Sequence, residues 1–272
     1  MKRSTQGLTA WGFAALIAIG ISGPAQAAQC GNTSSGFGSW VEQFKKEASG
    51  AGISQNTLDR AFKNARYATK TISADRNQKS FKLSFDQFMQ KRGAATIISK
   101  GKRLKKQNAG MFDAIEKKYG VPAGPLIAIW GMESGFGSFT GNQHTVSAVA
   151  TLAYDCRRSA FFTEQLYSLL QLIQKGWISP DFKGAAHGEI GQTQFLPGNV
   201  ARFGADGDRN GSINLGSSAD ALASTANFLQ GHGWSRGGGY QPGQTNYRAI
   251  QGWNAAGVYQ KAIAKIGAEI DG

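Results

Sequence analysis

The chain has 272 residues, 41% hydrophobic and 17% charged, and 30 Lys and Arg against 17 Asp and Glu give it a formal charge of +13. That hydrophobic share can build a core, which excludes a disordered tail, and the 37 glycines follow no three-residue period, which excludes collagen. Beyond the N-terminus no apolar run approaches the roughly 20 residues that span a bilayer, which excludes a polytopic membrane protein.

The first 27 residues read as a leader. Lys2 and Arg3 precede the apolar stretch 11–21, and Ala25-Gln26-Ala27 places small residues where a signal peptidase needs them, so cleavage is expected after Ala27. Cys30 follows Gln29 rather than a small residue, which speaks against a lipid anchor. The expected location is therefore the periplasm or the exterior, without stable membrane insertion. Cys30 and Cys156 are the only cysteines. In an oxidising compartment they would form one disulfide, the alternative being two buried free thiols.

Helical spacing predicts a helix over 37–49, and Ser54 is placed to cap a second that runs to about 67. Residues 80–118 read as two or three helices broken near Gly93 and Gly101. Further helices are predicted over 123–134, 145–154, 160–175, 191–203, 218–231 and 255–269. Gly, Asn, Ser and Pro gather between them, at 135–142, 179–189, 204–217 and 235–246. With no cleanly alternating segment longer than about four residues, the fold class is mainly α with at most a small β-sheet. A helical N-terminal region, 28–120, is expected to pack on a core formed by 121–272.

The run Gly101-Lys102-Arg103-Leu104-Lys105-Lys106, with Lys117 and Lys118, fits a nucleic-acid surface or a solvated helix face. Export removes access to nucleic acid, so no such partner is expected. A positive field suits polyanionic surfaces outside the membrane.

Glu133 is the only carboxylate of the predicted 123–134 helix, and it shares a face with Leu126, Ile129 and Trp130 at helical spacing. An acid in an apolar stripe is expected to keep its proton and can then serve as a general acid. Gly135 and Gly137 would end the helix and leave an open floor for a polymer. A Glu at a helix end with its head in solvent is the other reading.

Asp206-Gly207-Asp208-Arg209-Asn210-Gly211-Ser212-Ile213 has oxygen side chains at positions 1, 3 and 5 and Gly at 6, the first half of an EF-hand loop. Position 12 is Ser217 rather than Glu. A structural Ca²⁺ or a metal-free Asx-rich turn both fit.

The segment 121–141, with Glu133-Ser134-Gly135-Phe136-Gly137 behind an apolar helix, resembles the catalytic helix of lytic murein transglycosylases. Blocks similar to the membrane-bound lytic transglycosylase B family follow in order. These are Ala150-Thr151-Leu152-Ala153-Tyr154 with Arg157-Arg158, residues 188–197, Asp220-Ala221-Leu222-Ala223-Ser224 with Asn227-Phe228 and His232-Gly233-Trp234, and Trp253-Asn254. The resemblance covers residues 37–270.

It implies a lysozyme-like catalytic core, a monomer acting on peptidoglycan glycan strands, and chemistry that needs no cofactor. The reaction implied is cleavage of the β-1,4 bond between N-acetylmuramic acid and N-acetylglucosamine without water. Glu133 first protonates the leaving oxygen, then takes the proton of the C6 hydroxyl as that oxygen closes on C1, leaving a 1,6-anhydromuramoyl end. Ser134, Gln192, Gln194, Phe228, Trp253 and Asn254 fall at substrate-contacting positions, Trp253 offering an aromatic face to a sugar. Arg157 and Arg158 would engage muramoyl and peptide carboxylates. The resemblance also makes Asp220 the closing ligand for a Ca²⁺ held with Asp206, Asp208, Asn210 and Ser212. Ala185 stands where a Ser is usual and Phe228 where a Tyr is. Glu189 stands where the family has a small residue; as a second carboxylate it would allow a water-using muramidase. The alternative from another class is an inactive peptidoglycan-binding scaffold.

Overall fold

The computed structural model describes residues 28–77 and 83–272. The expected leader lies outside them. Helix α1 (Phe37–Gly50) buries Phe37, Trp40, Val41, Phe44 and Ala48 along one side, the spacing of an amphipathic helix. Helix α2 (Gln55–Phe62) starts where Ser54 Oγ accepts the Thr57 N–H. It stops at Phe62 instead of running on to about 67. Arg66 and Ala68 donate their N–H groups to Ser147 Oγ and Thr151 Oγ1 instead, at 2.9 and 2.8 Å, so side chains of a later helix take the place of helical carbonyls.

Helix α3 (Thr69–Arg76) has no clear sequence signal, whereas α4 (Phe85–Lys91) opens on a capping box between Ser84 and Gln87. Helix α5 (Ala94–Gln107) follows Gly93, which takes the left-handed conformation at φ 66°. The expected break at Gly101 is absent; the chain breaks at Asn108, before α6 (Ala109–Tyr119). Gly101 lies inside α5 because a Cβ there would meet Ile270 Cδ1 at 2.7 Å and Ile127 Cγ2 at 2.8 Å. Its lack of a side chain sets close packing instead of a helix end.

Helices α7 (Ala123–Ser134), α8 (Thr145–Tyr154) and α11 (Ser218–Gly231) keep their predicted bounds, and α9 (Ser159–Gln174) is shifted by a residue. Helix α10 (Pro197–Phe203) is shorter than the predicted 191–203. Residues 190–195 instead form a turn closed by the Ile190–Phe195 bridge, and Pro197 fixes where the helix can begin. Helix α12 (Tyr247–Trp253) was not expected; α13 (Gly257–Asp271) ends the chain. A two-stranded antiparallel sheet, β1 (Gln143–His144) with β2 (Lys183–Gly184), is the only sheet among the described residues.

Helix α7 is the axis of this mainly α fold, with α13, α5, α6 and α11 packed around it. Every residue of α7 except Glu133 is buried, so the anticipated single apolar stripe is in fact an apolar helix enclosed on all sides. Cys30 and Cys156 form a disulfide that closes a loop of 126 residues and holds the N-terminal segment to the end of α8. On the chain-entropy model such a loop contributes about 4–5 kcal/mol. Lys102, Arg103 and Lys106 are exposed, while Lys105 pairs with Asp271 at 3.0 Å, so the basic run is largely a solvated face. No helix among the described residues is long and apolar enough to cross a membrane.

Candidate active site

Glu133 occupies the last turn of α7, half-buried in an otherwise buried helix. Its Oε1 accepts the Tyr259 hydroxyl at 2.7 Å and the Trp253 indole N–H at 3.1 Å. Among the described residues no hydrogen bond reaches Oε2. Burial pushes the carboxyl above the ordinary glutamate range, against the pull of Tyr259, Trp253 and the Arg92 guanidinium, and the negative charge of Glu189 pushes it further up. Its place at a helix C-terminus, where the dipole disfavours an anion, acts in the same direction. Tyr259 is itself raised well above the usual tyrosine range by burial and by Glu133, so its hydroxyl stays a donor.

Glu133 opens onto a cavity of about 330 Å³. Of the residues singled out in the sequence, Glu133, Arg158, Glu189, Gln194, Phe228, Trp253 and Asn254 line it. Gln194 sits in the left-handed conformation at φ 57°, with Nε2 donating to the Gly191 carbonyl at 2.8 Å. Phe228 stacks on His232 with ring centres 3.9 Å apart and forms part of the wall. Asn254 Oδ1 accepts the Ala256 N–H at 2.9 Å and so caps the approach to α13.

Other residues singled out in the sequence have partners within the protein. Trp253 packs at near right angles to Phe195 and Phe228 and donates its N–H to Glu133, while its side chain also lines the cavity. Ser134 is buried, its Oγ donating to the Gln192 carbonyl and accepting the Gly137 N–H at 2.8 Å. Gln192 spends its amide on Trp130 Nε1, at 2.8 Å, and on the Gly216 carbonyl. Neither Ser134 nor Gln192 lines the cavity. Gly137 is no open floor either, since a Cβ there would lie 2.5 Å from Gln192 Oε1. The two glycines let a tight turn close against Gln192.

Arg157 and Arg158 both bind the carboxylate of Asp75, a buried residue of α3. Arg158 lines the cavity and Arg157 does not, and both arginine side chains remain exposed in part beside the buried carboxylate. Glu189 Oε2 accepts the His187 backbone N–H at 2.9 Å, and Oε1 lies 3.1 Å from His187 Nδ1. Burial raises this carboxyl, but the hydrogen bonds and charge of His187 outweigh it and leave Glu189 below its ordinary range. Ala185 donates its N–H to the Glu189 carbonyl at 3.0 Å. Sequence reasoning missed Tyr259, His187 and Asp75; the nearness of Tyr259 to the Trp253-Asn254 pair was the only available hint.

The acidic loop lies apart from this cavity. Carboxylate oxygens of Asp206, Asp208 and Asp220 fall within 4.8 Å of one another. Asp206 Oδ2 accepts the Gly211 N–H at 2.8 Å, and the buried Asp220 accepts Gly207 and Asn214, each at 2.8 Å. Asn210 Oδ1 instead takes the Ser212 N–H and hydroxyl, at 2.9 and 2.7 Å. The turn thus brings the three acidic members of the expected ligand set into one cluster.

A family model for the transglycosylase SLT domain matches residues 36–244. The membrane-bound lytic murein transglycosylase B of Escherichia coli is 33% identical over 121 residues, 44% of this chain and 34% of that protein, so the match spans about a third of the relative's length. Among solved structures, SltB3 from Pseudomonas aeruginosa in complex with NAG-anhNAM-pentapeptide aligns at a TM-score of 0.81 and 28% identity, covering 87% of this chain and 80% of that one. The Escherichia coli lytic transglycosylase Slt35 in complex with calcium aligns at 0.75 and 20% identity, covering 90% and 96%.

Proposed function

The chain belongs to the transglycosylase SLT domain family, and from that premise we propose that it cleaves the β-1,4 bond between N-acetylmuramic acid and N-acetylglucosamine in peptidoglycan, releasing 1,6-anhydromuramoyl ends. The observation that carries this reading is an acid pushed above the ordinary glutamate range whose Oε1 is held by Tyr259 and Trp253 and whose side chain lines a cavity of about 330 Å³. Glu133 gives its proton to the glycosidic oxygen as the C1–O bond breaks, and the bonding pair leaves with that oxygen. The resulting carboxylate, stabilised by the same two donors, then takes the proton of the C6 hydroxyl while O6 bonds to C1. No proton is lost and no water is consumed, so one carboxyl serves both steps. The complex of SltB3 with an anhydro-sugar peptide supports this product class.

Asp206, Asp208 and Asp220 have the donor chemistry and proximity for Ca²⁺. A bound ion would neutralise the cluster and stiffen the loop, away from the reaction. We also propose export after cleavage of the leader, with 28–120 supporting a catalytic part formed by 121–272.

Mass spectrometry of digested sacculi tests the reaction. Anhydro ends are expected. Reducing ends would establish hydrolysis, the second reading, which the presence of Glu189 in the cavity favours. Intact sacculi would leave a binding scaffold.

A further inference from the structure

We propose that Glu189 is the fixed negative charge against which the sugar's positive charge develops, an electrostatic partner of Glu133 that neither gains nor loses a proton. The inference rests on the transglycosylase reading and assigns a second carboxylate to it.

Glu189 and Glu133 line one cavity. What separates them is how their oxygens are held. Both oxygens of Glu189 are engaged by a single residue, Oε2 by the His187 backbone N–H and Oε1 by Nδ1. The far nitrogen of that ring, Nε2, faces Asp75 at 3.8 Å, and Asp75 is pinned from behind by Arg157 and Arg158. The carboxylate is thus oriented by a braced ring, and the brace reaches back to α3.

A carboxylate whose oxygens already accept hydrogen bonds is a poor base. That decides between two roles. A general base must take a proton from water, whereas a fixed charge need only remain ionised where substrate charge appears. The same contacts hold Glu189 below its ordinary range while Glu133 is pushed above its own, so between the two limits one acid is neutral and the other charged. When the C1–O bond breaks, its electron pair leaves with the oxygen that receives the Glu133 proton, and C1 becomes oxocarbenium-like. Glu189 opposes that charge from the wall of the same cavity. As O6 closes on C1, the C6 hydroxyl proton passes to Glu133 and Glu189 is unchanged.

The groups facing the pair set the pH profile. Glu133 faces Arg92 beyond α4, Tyr259 of α13 and Glu189; Glu189 faces His187, with Asp75 behind that ring and Arg158 across the cavity. Loss of the Glu133 proton should form the alkaline limb and protonation of Glu189 the acidic limb.

The test is Glu189→Gln in the mature enzyme, assayed on purified glycan strands with product analysis by mass spectrometry. A kcat fall on the order of 100-fold with little change in KM is expected for a charge used only in the transition state. The alkaline limb should also move to lower pH, because removing a like charge lets Glu133 ionise more easily, and a merely structural residue would not move it. An unchanged kcat and alkaline limb would overturn the proposal. So would reducing ends made by the wild type and lost in Glu189→Gln, since those mark a base. If Glu189→Gln does not fold, His187→Asn serves: the acidic limb should rise toward the ordinary carboxylate range, and a fixed limb overturns the proposal. A wild type that releases no fragments sinks the transglycosylase reading as well, whereas anhydro ends with an unaffected Glu189→Gln sink this inference alone.

Discussion

Two helices each carry a carboxyl group at one end, and they hold it in opposite ways. Glu133 lies in the last turn of α7 and Asp220 in the first turn of α11. Backbone N–H groups of Gly207 and Asn214 point at both oxygens of Asp220, at the helix end whose dipole favours an anion. Glu133 sits at the end that disfavours one, and its two donors come from side chains and share a single oxygen. The first arrangement commits both oxygens to loop geometry. The second leaves Oε2 without a hydrogen bond among the described residues and holds the carboxyl above its ordinary range. Asp220 is fully buried and Glu133 in part, so what separates the two carboxyls is the number and placement of their donors.

The largest effect should come from removing the carboxyl proposed to donate the proton. Glu133→Gln is expected to lower strand cleavage on the order of a thousandfold, read as fragment release from sacculi. It should also melt higher than the wild type at neutral pH. A carboxyl raised in the folded state makes the fold bind more protons than the unfolded chain, so stability falls as pH rises from the unfolded pKa toward the folded one. Gln lacks that dependence, and the advantage should vanish below the ordinary glutamate range. A melting difference flat with pH would mean that Glu133 is not held neutral by the fold.

The next effect belongs to the other carboxyl and should be one of stability alone. Asp220→Ala strands the N–H groups of Gly207 and Asn214, a cost of about 3 kcal/mol in urea unfolding. Cleavage per folded molecule should be unchanged well below the transition. Loss of activity without loss of stability would erase the contrast between the two sites. Calcium adds to the same side: at a hundred times its dissociation constant it should stabilise the wild type by about 2.7 kcal/mol. Asp206→Ala should remove that gain in a melting titration.

This contrast also marks where sequence reading stops. The bounds of α7 follow from Pro122 at its cap and Gly135 just past its end, and Glu133 stands out as the lone acid among apolar neighbours. Helices α3 and α12, of 8 and 7 residues, carry no comparable punctuation. What holds each acid was less legible, because it depends on long-range partners: Tyr259 meets Glu133 across 126 positions and Trp253 across 120. The same limit explains Arg157, Arg158, Ser134 and Gln192. Each is polar and near the site in sequence, yet each is claimed by an internal partner that no local pattern identifies, Asp75 for the arginines and Trp130 for Gln192.

The smallest effect tests whether the donors on Glu133 oppose Glu189. Tyr259→Phe removes the shorter of the two hydrogen bonds, at 2.7 Å, and keeps the ring that packs on Phe88. That bond lowers the Glu133 pKa, so its loss should raise the pKa and carry the alkaline limb of kcat to higher pH. The carboxylate formed after proton donation also loses a partner, which should slow turnover about tenfold, the lower end for a hydrogen bond to a charged group. Trp253→Phe removes a longer donor, at 3.1 Å, and should act in the same direction by less. The movement is opposite to that expected for Glu189→Gln, because one change removes a group that favours the anion and the other a charge that disfavours it. If both variants moved the limb the same way, the limb would not be reporting Glu133, and the assignment of the acid would have to move to another group in the cavity.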